Sequence, residues 1–261
     1  DDRTTPKKYR IPSGTIIPAG GFRVFTEADF NPNPGLDPSF TLSSHGEEVF
    51  LFSADAAGNL TGFSDGFSFG AAANGVTFGR YTTSDGQVHY PAQSAKTLGA
   101  PNAGPIIGPV VINEIHYHPA LGGEEFVELK NLTSSAVKLF DPQYPTNTWK
   151  LDGVDFVFPP NQEIAPNGLL VVVAGDPSAF RTRYQVPAAV PVLGPFPGVL
   201  QDSGERLQLL RPDAPDVETN GVIVVPYVAV DEVRYNDKAP WPIEPDGTGP
   251  SLEKFNSRAF G

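Results

Sequence analysis

The chain contains no cysteine and no methionine. Without cysteine there is no disulfide framework, no thiolate ligand set for zinc and no thiol nucleophile. Long apolar runs are missing as well: no stretch of 18 or more apolar residues occurs, so no membrane insertion by a helix is expected. The opening DDRTTPKKYR lacks the apolar segment of a signal peptide, although a signal could lie upstream. Clustered basic residues are absent beyond Lys7, Lys8 and Arg10, and the net charge is −12. Residues 1–104 carry 7 basic and 10 acidic groups and residues 105–261 carry 11 and 20. Such a surface repels phosphate backbones and speaks against nucleic acid as a partner. The carboxylates read instead as a solubilising face. With no initiator Met, the chain is expected to be an excised or proteolysed piece of a longer protein.

What the chain does have is itself, twice. Tyr9 to Phe25 (YRIPSGTIIPAGGFRVF) aligns without a gap on Phe156 to Val172 (FVFPPNQEIAPNGLLVV) at an offset of 147, keeping Pro12 with Pro159, Ile17 with Ile164 and Gly21 with Gly168. Ser44 to Asp55 then matches Asp202 to Asp213 at 158, Asp65 to Gly70 matches Asp231 to Asn236 at 166, and Gly75 to Tyr81 matches Gly249 to Phe255 at 174. The growing offset is what loop insertions in a second copy produce. A unit this long is a domain rather than a solenoid repeat. Val110 to about Trp149 has no counterpart upstream, so the first copy is expected to lack its opening strands. The division is therefore 1–104, a partial domain with a Pro/Gly-rich linker from about residue 91, and 105–261, a nearly complete one. Gly21 and Gly168 are expected in equivalent turns.

The 28 prolines and 27 glycines disfavour long helices, each interior proline costing about 3 kcal/mol. Short runs rich in Val, Ile, Phe and Tyr read as strands at Val110 to His116, Phe126 to Asn131, Leu169 to Ala174, Arg206 to Arg211, Val222 to Val225 and Val228 to Tyr235. Pro177 to Tyr184 is the nearest thing to a helix. Many short strands with Gly/Pro-rich turns predict an all-β sandwich or barrel.

Five blocks of the second copy, VVINEIHYHP (110–119), EEFVELKNLTSSAVKL (124–139), FVFPPNQEIAPNGLLVVVAGD (156–176), SGERLQLL (203–210) and VDEVRYNDKAPWPIEPDGTGPSLEK (230–254), resemble the lamin tail domain. In the first copy, residues 1–22 and GVTFGRY (75–81) resemble its later strands. The resemblance implies tandem immunoglobulin-like β-sandwiches and a secreted or cell-surface bacterial setting. It also implies a role accessory to a catalytic domain elsewhere in the parent chain. An incomplete first sandwich would expose an edge for strand pairing.

Candidate chemistry is sparse. Alternation along VVINEIHYHP places Glu114, His116 and His118 on one face, with Glu124, Glu125 and Glu128 near in sequence, a donor set suited to zinc or another divalent metal. Positions i and i+4 of a strand lie about 13 Å apart, so at most two adjacent members grip one ion. Asp231, Asp237 and Asp246 are candidate oxygen donors for calcium, without the EF-hand spacing. Trp241, between prolines and bordered by Tyr235, offers an aromatic platform for a sugar or peptide, or else belongs to the core. Gly66 to Gly70 matches G-x-S-x-G around Ser68, with Asp85 and His89 downstream, but no helix follows to make a nucleophile elbow. His45 and His89 read as surface residues. The leading expectation is a non-enzymatic structural or protein-interaction module meeting protein or polysaccharide at the cell surface. The alternative is a carbohydrate-binding or calcium-dependent adhesion module. A weaker third reading is a metal-dependent hydrolase using His116 and His118.

Overall fold

The computed structural model describes residues 4–36, 38–218 and 220–261. The first three residues of the N-terminal block that enters the resemblance lie outside them. The chain is β-rich and divides into two compact units, 1–81 with 88–105, and 82–87 with 106–261.

In the first unit a four-residue helix α1 (Glu27–Phe30) starts at Thr26, whose backbone amide and hydroxyl both donate to Asp29 Oδ2. A long antiparallel hairpin follows, β1 (Gly46–Ala54) with β2 (Leu60–Gly70). Its aromatic residues find one another across and beyond the hairpin: Phe67 stacks on Tyr90 with ring centroids 3.8 Å apart, and Phe69 meets Phe78 at 5.7 Å. Of the Pro/Gly-rich stretch that begins at about residue 91, residues up to 105 group with this unit. The Gln93 amide group is buried and donates to the carbonyls of Gly79 and Pro91, and its backbone bonds Thr77. Gly79 is glycine because a Cβ there would lie 2.7 Å from the Gln93 side chain. A short hairpin, β3 (Tyr81–Thr82) and β4 (Val88–His89), closes on a turn grouped with the second unit. His89, read from sequence as a surface residue, is buried.

The second unit carries β5 (Val110–His116), β6 (Phe126–Asn131), β7 (Val137–Lys138), β8 (Lys150–Asp152), β9 (Phe156–Val157), β10 (Glu163–Ile164) and β11 (Leu169–Val173). After these come α2 (Pro177–Tyr184), β12 (Val192–Leu193), β13 (Arg206–Pro212), β14 (Asp216–Val217), β15 (Ile223–Val224), β16 (Tyr227–Arg234) and β17 (Leu252–Glu253). One sheet has the order β12-β11-β6-β5-β17 and the other β16-β13-β8-β9. Both contribute to one apolar core: Ile112, Leu129, Leu170 and Leu252 from the first, Leu151, Leu207, Leu209 and Val233 from the second. In β6 alternate residues, Val127, Leu129 and Asn131, are buried, as a strand with one covered face requires. Strand β11 is apolar throughout because both faces are covered. Leu170 and Val172 join the shared core, while Val171 and Val173 pack under Phe180 of α2. That helix begins where Asp176 Oδ1 accepts the Ala179 amide at 2.8 Å, with proline next, and ends at Gln185 in the left-handed region.

Buried polar groups stitch the sheets together. Asp231 Oδ2 accepts the Ile112 amide at 2.8 Å and the Lys254 ammonium at 3.2 Å. The Asn131 side-chain amide donates to three carbonyls, those of Ser135, Ile164 and Ala165, while its oxygen accepts from Thr133. Each replaces a bond to water that burial would otherwise forfeit.

The repeated blocks share local geometry, each within its own unit. Gly21 N bonds Pro18 O at 2.8 Å, and Gly168 N bonds Ala165 O at 2.9 Å, 147 residues on. The left-handed residue in these turns is the preceding one, Gly20 (φ 67°) or Asn167 (φ 53°). Gly21 and Gly168 are there for closeness: an added Cβ would sit 2.5 Å from Pro18 or 2.9 Å from Ala165. Gly46 and Gly204 take φ 109° and 98°. In the turns before them the Ser43 amide bonds Glu47 and the Gln201 amide bonds Glu205. Glu48, Val49, Phe50 and Leu51 face Ser68, Phe67, Gly66 and Asp65. Arg206, Leu207, Gln208 and Leu209 face Arg234, Val233, Glu232 and Asp231 in the same register. The units differ in what covers these frames. Among the described residues, the buried Val, Leu, Ile, Phe, Tyr and Trp side chains all lie between Val110 and Leu252.

Candidate functional site

The pattern Glu114, His116, His118 does not become one site. A bulge between Ile112 and Glu114 turns Ile112 to the core face of Ile115 and Tyr117, while Glu114 and His116, opposite Glu128 and Phe126, keep a common face on which their surroundings differ. Glu114 accepts from the Ser251 hydroxyl and lies between Glu128 of β6 and Glu253 of β17 in the ladder. Burial pushes the Glu128 carboxyl up; the bond from Asn113 opposes this, and the charges of Glu114 and Glu253 add to it. His118 lies past the end of β5 and is partly exposed, with Nδ1 2.6 Å from Asp246 Oδ1 and Nε2 3.9 Å from Asp202 Oδ2.

His116 goes inward. It is 6% exposed, its ring meets Phe126 edge-on at 5.2 Å, and neither nitrogen has a hydrogen-bond partner. Burial lowers its pKa, against weaker opposing pulls from the backbone of Gly249 and Glu124 and the charge of Glu114. The imidazole is therefore held neutral in the fold. A proton binds the unfolded chain more readily, so the stability this residue leaves intact above the ordinary histidine pKa is lost as pH falls from there toward the lowered one. The variant His116→Phe is expected to unfold with less pH dependence below about pH 6.5. Urea titrations of both proteins across that range check it; an unchanged pH slope would count against the buried neutral imidazole.

The proposed calcium donors also part company. Asp231 is 4% exposed and already neutralised by Lys254, so it cannot join an ion cage with Asp237 and Asp246. Burial pushes its carboxyl up while Lys254 and the Ile112 amide pull it down. Asp246 is engaged with His118. Among the described residues no group of three His, Cys, Asp or Glu side chains is placed to hold a metal ion.

The aromatic pair separates in the same way. Tyr235 is buried, stacked on Tyr117 at 4.8 Å, and its hydroxyl lies 3.0 Å from both the Gln201 carbonyl and Glu205 Oε1. Burial, with Glu205 beside it, drives its pKa far up. It borders no open platform, contrary to the expectation from its place in the sequence. Trp241 is half-buried against the core, and its indole Nε1 donates to Asp85 Oδ2 at 3.2 Å. With Pro242, Leu252 and Lys254 it lines a cavity of about 110 Å³, below the several hundred Å³ of ordinary ligand pockets. A larger recess, about 330 Å³, lies by Lys130, Asn167 and Arg258. Its cations are turned to protein: Lys130 to the Ser257 hydroxyl and Arg258 to the Leu132 carbonyl.

Ser68 of the G-x-S-x-G match stands inside β2 and donates to Glu48 at 3.1 Å, with no imidazole on its hydroxyl. The polar groups that matter most to the fold, Asp231 with Lys254 and the Asn131 clamp, were not singled out as such from sequence. Their signal was there in an Asp amid the apolar VAVDEV run and an Asn at a strand end. No helix among the described residues is long and apolar enough to cross a membrane. Comparison of the chain with protein-family models, curated proteins and solved structures finds no match.

Proposed function

We propose that the chain is a non-enzymatic structural or protein-interaction module of a larger secreted or cell-surface bacterial protein, accessory to a domain elsewhere in that protein. In this reading it consists of two immunoglobulin-like β-sandwiches of the lamin-tail type in tandem, 1–104 and 105–261, the first without its opening strands. The observation that carries the reading is the fate of the second unit's polar groups. Tyr235, Asp231, Lys254, Asn131 and Glu114 are each spent on a bond that joins one strand or turn to another. Among the described residues nothing converges on a cavity as nucleophile, base and anion-stabilising donors would. The shared register and turns of the two hairpins support a repeated frame, and two sheets around one core in the second unit support a sandwich. Fold alone carries no function, so the partner at the cell surface, protein or polysaccharide, is inferred from the resemblance.

The alternative, a carbohydrate-binding or calcium-dependent module, draws on the part of Trp241 that remains exposed. Thermal unfolding with millimolar calcium, zinc or soluble oligosaccharide decides between the two. The expected result is no shift in Tm and no change in Trp241 fluorescence. A ligand present at a hundred times its Kd would stabilise the chain by about 2.7 kcal/mol, and a shift of that size would favour the alternative.

A further inference from the structure

The first unit shows apolar positions in water whose counterparts in the second unit are core. Ile17 is 59% exposed where Ile164 is 0%, and Leu51 is 50% where Leu209 is 0%. Leu42 and Leu200, two residues ahead of the aligned block, compare at 44% and 3%. The polar positions follow suit. Asp231 takes the Ile112 amide and Lys254, whereas Asp65 and Arg80, at the same places in the repeat, are both exposed.

The backbone shows where the covering layer belongs. In the second unit β17 pairs with β5 through Leu252 opposite Ile115 and the Lys254 amide on Asn113 O. The equivalents of Leu252 and Lys254 are Phe78 and Arg80. In the first unit it is the intervening residues that are paired: Thr77 O takes the Gln93 amide and Gly79 N donates to Pro91 O. A strand's backbone groups point alternately to its two sides. Residues 91–93 therefore occupy the far edge, and the edge of Phe78 that corresponds to the β5 side carries no strand among the described residues, only the Asn102 side-chain amide on the Arg80 carbonyl. On the other flank, β11 is held in β conformation by pairing with β6, whereas its equivalent, residues 22–26, forms no strand before α1.

We infer that the first unit is a receptor for an added β-hairpin of the β5–β6 kind: an apolar extended segment that pairs with the open edge of Phe78, gives a backbone amide to Asp65 and covers Leu51 and Ile17. The occupant is a polypeptide segment other than the β5–β6 of a second copy, since those strands are buried in their own core. The inference rests on the tandem-frame reading above and names the partner class for its incomplete member. Strand addition supplies affinity through main-chain bonds and selectivity through alternate side chains.

The test adds an unlabelled peptide of residues 109–132 to the ¹⁵N-labelled full chain and follows amide hydrogen exchange residue by residue. Saturable slowing at Phe78 and Arg80, by roughly tenfold or more, is the expected result. It should be lost with the peptide variant Ile112→Lys, and weakened in the chain variant Asp65→Leu, which alters only an exposed residue. A fusion of the same hairpin to the N-terminus through a Gly/Ser linker should raise the unfolding temperature of the first unit, which covers the case of a peptide that self-associates. No slowing and no rise would overturn the inference. So would protection of the same amides by concentration-dependent dimerisation of the chain alone, which makes a second copy the occupant. Amides of β5 and β6 in the labelled chain are read in the same spectra. If they are protected while Phe78 stays open, the receptor idea fails alone; if they too are unprotected, the layered reading of the second unit fails with it.

Discussion

Replacing Lys254 with methionine is expected to cost the second unit about 3–5 kcal/mol, because it strands a carboxylate that the fold has removed from water. Asp231 is 4% exposed, and Lys254 is its cationic partner at 3.2 Å. The Ile112 amide remains after the substitution, but a single neutral donor does not offset a buried charge. The variant should respond by protonating Asp231. Burial already pushes this carboxyl up, and losing the ammonium pushes it further. A carboxyl whose folded pKa is raised contributes stability that is present below the unfolded pKa and lost as pH rises through the folded one. The deficit relative to the parent should therefore shrink as pH is lowered from 7. Adding Asp231→Asn to Lys254→Met keeps an acceptor for Ile112 without the charge, and should recover most of the loss. Urea unfolding of the single and double variants is the measurement. A single variant within about 0.5 kcal/mol of the parent would mean that the pair is not buried in solution.

The second large effect is a contrast between two leucines at equivalent places. Leu209→Ala deletes a fully buried side chain at the centre of the shared core and should cost about 2–5 kcal/mol. Leu51→Ala deletes a side chain that is half in water and should cost less than about 1 kcal/mol. Their backbone settings match: each faces the aspartate of its paired strand, Asp231 or Asp65. The difference measures how far each side chain is covered. Equal losses at both sites would show that the first unit is covered in solution as the second one is.

Local signals were read from sequence most faithfully where one face of a strand had to be hidden. Val110 to His116 and Phe126 to Asn131 form strands over those spans, and Pro177 to Tyr184 forms the helix that Asp176 and the following proline announce. The repeat also pointed to equivalent turns at Gly21 and Gly168, although the glycine relieves a close approach instead of adopting an unusual φ. The failures have one cause, the geometry that only tertiary structure adds. A bulge in β5 moved Ile112 to the core face, and His116 is buried because Phe126 covers its side of the sheet, while His118 reaches Asp246 beyond the strand. Tyr235 and Asp231, polar at their tips, found partners from Gln201, Glu205, Ile112 and Lys254, all 23 or more residues away in sequence. The prolines of residues 91–105 suggested a spacer, yet Gln93 packs because Gly79 leaves room for it. Composition excluded thiol chemistry outright, but it carried no information on which carboxylates would be buried.

The absence of cysteine makes the shared frame directly testable by engineered disulfides. Glu48 faces Ser68 in β1 and β2, and Arg206 faces Arg234 in β13 and β16, at the same positions of the repeat. Directly opposed residues of an antiparallel pair have Cα atoms about 4.5–5.5 Å apart, within reach of a disulfide. The account predicts that Glu48→Cys with Ser68→Cys, and Arg206→Cys with Arg234→Cys, both close readily under mild oxidation. The pairs displaced by one residue, Glu48→Cys with Phe67→Cys and Arg206→Cys with Val233→Cys, should stay reduced, since neighbouring side chains leave opposite faces of the sheet. Closure of a displaced pair in one hairpin and of the opposed pair in the other would contradict the claim that the two units are built on one frame.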